Sequence, residues 1–375
     1  MKTNLQGTEN MTKITRRTLI QAAAATGLAG AMGTRHAFAA DEPLGITLVV
    51  PSPIGDVGWG HALAAGLEPV KEAYGDKVKV TVLENIMEGP DADRIMNKTV
   101  ADGNNFLIAG SFGYQNGAFQ IARRNPKISV LHASGYMVAP NFSPFAAKYF
   151  QGTYLLGMAA AAVSKSGKLG SVSAFAIPEL ITSINAFTLG AQAVNPDVEV
   201  SVVWVNSWFD PAQEQDAAKA LIAQGCDVIF SNAQDTPSVI SACEEAGVYA
   251  FNLNSSMQKY APEKYLGCVA TDWSPYFKAQ VEAHMNGTFK GANAFLGMAD
   301  NVVEVVDLNS DIPADIMEKI KSTEAEIADG SFSPFTGPIA KADGSEGVAD
   351  GETMTDDQIV AMDWHVKGVT TPLPQ

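Results

Sequence analysis

The chain has 375 residues, 46% of them hydrophobic and 18% charged, with a formal net charge of -16. That composition supports a large packed core and excludes a disordered chain. The acidic balance argues against a nucleic-acid partner, whose phosphates it would repel. Three cysteines without a CxxC pair, and five scattered histidines, leave little material for a zinc site or a disulfide framework.

The first forty residues read as an export signal. Lys2, Lys13, Arg16, Arg17 and Arg35 face only Glu9, an alanine-rich stretch runs from Thr18 to about Met32, and Ala37-Phe38-Ala39 offers a small-x-small cleavage site. The apolar stretch is too short and too rich in glycine for a membrane span. Arg16-Arg17 in Thr15-Arg-Arg-Thr-Leu-Ile resembles a twin-arginine signal, the alternative being a Sec signal with two adjacent arginines. The expected product, cleaved near Ala39 or Ala40, is a soluble periplasmic protein. No cysteine precedes Cys226, so no lipid anchor is expected. Cys226, Cys243 and Cys268 are expected as buried thiols, with one disulfide plus one odd thiol as the alternative.

Beyond the signal, strand and helix patterns alternate. Strands are predicted at 45–51, 77–84, 105–109 and 127–132, with helices at 61–74, 91–102 and 117–124 between them. Continuous apolar strands separated by helices predict a parallel sheet covered on both faces. The series breaks at Ser164-Lys-Ser-Gly-Lys168 and restarts. Strands at 169–174, 199–205, 227–231 and 248–253 alternate with helices at 183–194, 211–224 and 236–245. Gly103-Asn-Asn-Phe-Leu-Ile-Ala109 in the first half parallels Gly225-Cys-Asp-Val-Ile-Phe230 in the second. A helix at 275–286, a strand at 302–308 and an acidic helix at 313–328 follow. The prediction is an α/β chain of two doubly wound parallel-sheet lobes, 41–163 with 271–300 and 164–270 with 301–375.

Parallel sheets bind ligands at the carboxyl ends of their strands, so the loops there are the candidate site. They are rich in aromatic, amide and acidic side chains. The first lobe supplies Trp59, flanked by glycines, and Phe112 in Gly110-Ser-Phe-Gly-Tyr114; His132-Ala-Ser-Gly-Tyr136 adds a third loop. The second supplies Glu179, Asn206 and Trp208, Gln234 and Asp235, and Asn254. Asp272 and Trp273 lie near a crossover. Aromatic faces stack on a planar ring, and amides and carboxylates read its edge. A purine-like heterocycle suits both, and carboxylates in place of arginine argue against a phosphorylated nucleotide. Each side chain has a structural alternative: packing for the tryptophans, helix capping for Asp56, Asp210 and Asp235, loop bonding for Asp272 and Asn254. No GxSxG elbow, HExxH, Walker loop or Cys/His pair points to an enzyme or to a cofactor.

Several blocks carry a family resemblance: Gly55-Asp-Val-Gly-Trp-Gly-His-Ala-Leu-Ala-Ala-Gly66, Tyr154-Leu-Leu-Gly-Met-Ala, Ser164-Lys-Ser-Gly-Lys-Leu-Gly170, Asn185-Ala-Phe-Thr-Leu-Gly190, Asn206-Ser-Trp-Phe-Asp-Pro211 and Phe335-Thr-Gly-Pro338. From about Leu44 to Val369 the chain resembles the BMP family of ABC-transporter solute-binding proteins. The resemblance implies a type I periplasmic-binding-protein fold with three crossovers, an ABC permease as partner and a purine nucleoside or base as cargo. The family's nucleoside binders carry Asp-x-Ser-Phe-Asn in the first loop. At the matching positions, Asp56, Gly58, Trp59 and Gly60, the aromatic is kept and the amide is lost. A carboxylate that commonly holds ribose falls near Ser256, where this chain has none. Both departures favour a sugar-free ligand.

Overall fold

The computed structural model describes residues 42–374; the export signal expected over 1–40 lies outside them. Residues 43 onward form one compact unit containing two six-stranded sheets. The first is built from β1 (Leu44–Val49), β2 (Val78–Leu83), β3 (Asn104–Ala109), β4 (Ser129–Ala133), β5 (Phe142–Ala147) and β11 (Ala294–Leu296). The second contains β6 (Lys168–Ser173), β7 (Glu199–Trp204), β8 (Val228–Asn232), β9 (Tyr249–Asn254), β10 (Tyr265–Thr271) and β12 (Val303–Val306). Their orders, β2-β1-β3-β4-β5-β11 and β7-β6-β8-β9-β10-β12, are the same pattern used twice. All pairings are parallel except β10 with β12. The central strands are buried on both faces, as their continuous apolar sequences require.

Helices α1 (Gly58–Ala65), α2 (Glu68–Tyr74), α3 (Pro90–Ala101), α4 (Gln115–Arg124) and α9 (Ser274–Met285) belong with the first sheet. Helices α5 (Tyr149–Val163), α6 (Pro178–Gln192), α7 (Pro211–Ala223), α8 (Ser238–Ala246) and α10 (Ala314–Asp329) belong with the second. A short α11 (Asp356–Ile359) and a β13–β14 ribbon (Ile339–Ala340, Glu346–Val348) lie in the tail. The chain passes between the sheets three times: from β5 to α5, from β10 to α9, and from β11 to β12.

Three differences from the sequence reading have physical causes. The single helix expected over 61–74 is two, because Pro69 at the second position of α2 starts a new helix. Helix α5, not anticipated, packs on α6, β10 and β12, so this stretch lies with the second sheet although the sequence division placed 41–163 in the first lobe. Strand β5 carries Pro144 in its middle, which masks it as a strand. The three cysteines are buried and unpaired.

The α5–α6 contact holds the second lobe to its first crossover. Small residues let the two backbones touch: a Cβ on Gly157 would lie 2.1 Å from the Phe187 carbonyl oxygen, and one on Gly190 would lie 1.9 Å from that of Tyr154. Neither obstacle is a flexible side-chain end, so the helices would have to separate. Gly157→Leu is therefore expected to destabilise the protein by about 3 kcal/mol, measured as a lowered urea midpoint. An unchanged midpoint would show that the contact bears no strain.

Candidate functional site

The carboxyl ends of both sheets face one cleft. Its cavity, with the open mouth included, encloses about 510 Å³ of space between the loops. Nearly every strand-end loop contributes to it. The first sheet gives Pro51 and Trp59 after β1, Ser111 and Phe112 after β3, and Ser134 after β4. The second gives Glu179 after β6, Trp208 after β7, Asp235 after β8 and Asn254 at the end of β9. Tyr149, from the first turn of α5, completes the wall. These loops are tightly turned: Ser134, Asn206, Ala233 and Asn254 have φ of 56°, 52°, 60° and 79°, a region L-residues occupy at a cost of about 1 kcal/mol or more each.

Helix α1 has no cap of its own; its N-cap is Val57. The cap comes from the opposite lobe. The Trp59 N–H donates to Asp235 Oδ1 at 2.6 Å, the Gly58 N–H donates to Ser255 Oγ at 2.8 Å, and the Ser52 hydroxyl donates to Asp235 Oδ2. A carboxylate is thus placed on the unpaired donors of a helix N-terminus. Asp56, the cap expected from sequence, instead bonds Lys259 and the Tyr260 hydroxyl across the same seam. Asp210 does cap its helix, accepting from the Gln213 N–H at 3.0 Å.

The Trp59 indole is fixed by its own donor. Its Nε1–H bonds the Gly110 carbonyl oxygen at 2.8 Å, which ties the first loop to the third strand. Trp208 packs on Phe175 with ring centroids 4.7 Å apart, and its buried Nε1 has no partner among the described residues. Tyr149 donates to Asn254 Oδ1 at 2.5 Å, which orients that amide. Glu179 stands in the first turn of α6. Its Oε2 accepts from the Ser134 hydroxyl of the other lobe at 2.5 Å, while its buried Oε1 has no protein partner among the described residues. Burial lifts the Glu179 carboxyl to about 7 against the pull of the Ser134 hydroxyl and the Ala147 backbone, and lifts Asp235 to about 6 against the bonds from Ser52 and Trp59.

A buried layer supports this wall. Glu214 accepts from the Thr236 hydroxyl and from the Asp210 N–H at 3.0 Å. In the amide orientation that satisfies both of its groups, Gln234 donates to Glu214 at 3.2 Å and accepts from the Ala174 N–H at 3.0 Å. The Asp235 N–H donates to the Trp208 carbonyl oxygen at 3.3 Å. The loops after β6, β7 and β8 are therefore bound to one another beneath the cavity.

Of the ten side chains singled out from sequence, Trp59, Phe112, Glu179, Trp208, Asp235 and Asn254 come together in the lining. Four stand elsewhere. Trp273 is fully buried in the core, edge-on to Trp59 at 5.8 Å and packed on Phe145 and Phe277. Asp272 forms a local turn with Ser274, accepting from its N–H at 2.9 Å and its hydroxyl at 2.6 Å. Gln234 belongs to the supporting layer, and Asn206 is exposed at the turn after β7. Sequence reasoning missed Ser111, Ser134 and Tyr149. The two serines lie inside loops it had marked, whereas Tyr149 lies in the helix it did not see.

Residues 44–333 match the family described as ABC transporter substrate-binding protein PnrA-like, the Bmp family. The chain belongs to that family. It is 40% identical over 343 residues to a purine-binding protein of Brucella abortus, spanning 92% of this chain and 97% of that one. It is 31% identical over 306 residues to a putative ABC transporter glucose-binding protein of Haloferax volcanii, spanning 81% and 77%. Among solved structures it resembles an ABC transporter solute-binding protein from Aeropyrum pernix, with a TM-score of 0.68 at 16% identity, covering 86% of this chain and 98% of that one. The fold is that of the type I periplasmic binding proteins, and this family member is an ABC-transporter solute-binding protein.

The buried carboxyls make its stability pH-dependent. Their folded values lie above the unfolded ones, so the native state keeps protons that the unfolded chain releases. The contribution of Glu179 is complete below its unfolded value of 4.5 and is lost as pH rises towards about 7. Glu179→Gln is expected to flatten the decline of the urea midpoint across that window. A decline as steep as that of the parent protein would mean that Glu179 is not desolvated.

Proposed function

We propose that this protein is the periplasmic receptor of an ABC importer and closes its two lobes on a free purine base or a similar planar heterocycle. The observation that carries the reading is the pairing in one cavity of aromatic side chains (Trp59, Phe112, Trp208) with polar edge groups (Glu179, Asn254), including a buried Glu179 oxygen that lacks a partner. A flat ring offers the rings a face and the carboxyl an N–H donor. The lining contains no lysine, arginine or histidine, so a phosphate would meet two carboxyls and no cation. The relative from Brucella abortus, alike over nearly the whole length of both chains, is named as purine-binding, which supports the same class. The name of the Haloferax volcanii relative makes glucose the natural control ligand.

A base fits better than a nucleoside. The amide found in the first loop of nucleoside binders is replaced by Gly60, and Ser256 is exposed and stands outside the lining. The proposed cycle is delivery to a membrane permease, with ligand stabilising the closed form because it touches both lobes at once.

Calorimetric titration of the mature protein with purine bases, their nucleosides and glucose tests the reading. A base is expected to bind most tightly, and Trp59→Ala to weaken it by about tenfold or more while circular dichroism stays unchanged. Full affinity in that variant would remove Trp59 from the site. Glucose binding without purine binding would overturn the ligand class.

A further inference from the structure

A second cavity adjoins the first. It encloses about 790 Å³ including its mouth, and shares Phe112, Ser134 and Glu179 with the cavity described above. Its remaining wall is mostly apolar: Ala146 near the end of β5, Ile177 and Pro178 at the start of α6, Phe295 in β11, and Ile359 and Val360 at the end of α11. Thr182 and Asn293 are among its few other polar groups, and the Thr182 hydroxyl already donates to the Glu179 carbonyl oxygen at 2.9 Å. The chamber opens to solvent where Tyr136 and Val360 are 72% and 39% exposed.

The partition between the cavities has a definite chemistry. Glu179 belongs to both, its Oε2 engaged by Ser134 and its Oε1 unpartnered. A donor carried by a ligand would satisfy that buried oxygen. A donor lying on the boundary stands at the point where a ligand would pass from one cavity to the next. An apolar group suits this passage, because Ala146, Ile177, Pro178 and Phe295 offer side-chain surface that cannot bond the hydroxyls of a sugar.

We propose that the second chamber receives an apolar arm carried by the ligand on an exocyclic secondary amine, whose N–H donates to Glu179 Oε1. The inference rests on the purine reading and narrows it: the cargo class is an N-substituted aminopurine. The planar ring occupies the first cavity, the amine marks the partition, and the arm covers Phe295 and Val360.

Calorimetry with adenine and N-benzyladenine, on the parent protein and on Val360→Trp, separates the possibilities. Val360 is partly exposed at the chamber mouth, so a larger side chain fills the chamber without entering the core. N-benzyladenine is expected to bind the parent about tenfold more tightly than adenine, and Val360→Trp to abolish that advantage while leaving adenine affinity unchanged. Adenine serves as the folding control for the variant. Ala146→Leu, which narrows the chamber from its other side, is expected to act in the same way. If adenine binds the parent but the arm adds nothing, or both variants retain the full advantage, the chamber assignment is overturned and the purine reading stands. If neither purine binds the parent, both fall.

Discussion

One carboxylate joins the two lobes at the helix that carries Trp59. Asp235 leaves the second lobe and takes the N–H of Trp59 and the hydroxyl of Ser52 in the first. A helix whose own N-cap is a valine is thereby completed from across the gap. The bond does three things at once. It closes the lobes, it fixes the backbone that carries the Trp59 indole, and it draws a charge into the cavity wall. Because α1 lacks an internal cap, opening the cleft exposes its donors to water, and closing exchanges water for Asp235 and Ser255. That exchange is close to neutral for ordinary hydrogen bonds, so a ligand contacting both lobes can decide the balance.

The carboxylate holds its place through groups beneath it. Glu214 collects Thr236, the Asp210 N–H and Gln234, and so fastens the loops after β6, β7 and β8 into one slab. Four of the turning residues above it, Ser134, Asn206, Ala233 and Asn254, occupy left-handed backbone. Such positions persist where the surroundings over-determine them, and here they terminate parallel strands whose sequels must turn into the cleft. The repeated strand order explains why the two halves can face each other. Each sheet presents the carboxyl ends of its strands, and three crossovers link the two.

Much of this was legible in the sequence, and what was hidden has identifiable causes. The alternation of apolar strands with amphipathic segments carries the fold, because parallel strands buried on both faces are continuous apolar runs. Helix α5 escaped because Tyr149–Val163 is apolar nearly all round, so no 3.6-residue stripe marks it, and its burial against α6 rather than solvent makes it so. Missing α5 moved the lobe boundary and concealed Tyr149. Trp273 showed the limit of reading loops by composition. A tryptophan in a polar stretch near a crossover was a reasonable ring for the ligand, yet it packs behind Trp59 and shapes the site only by backing it. Asp235 took the capping role expected of Asp56 for a related reason. Local sequence marks a capping residue beside its own helix, whereas here tertiary contact supplied the cap from 176 residues away.

The distribution of charge across the site then follows from what the cleft must do. Two carboxyls, Glu179 and Asp235, face the same small space without a basic counterpart in the lining. Burial disfavours charge on both, and Asp235 is the better compensated because two donors from the opposite lobe reach it. Glu179 takes the Ser134 hydroxyl on one oxygen and keeps its second oxygen unpaired. The asymmetry separates their duties. Asp235 is satisfied by the protein and bridges the lobes, while Glu179 is left incomplete, which suits it to the recognition role proposed above. A closed cleft without cargo retains the desolvation cost of that oxygen, of order 1–3 kcal/mol for a buried unsatisfied group. A ligand that supplies an N–H removes the cost only when the lobes are shut around it. On the proposed reading, closure is thereby coupled to a donor of the right geometry, which is the property a transport receptor needs if its closed form is to signal a loaded state.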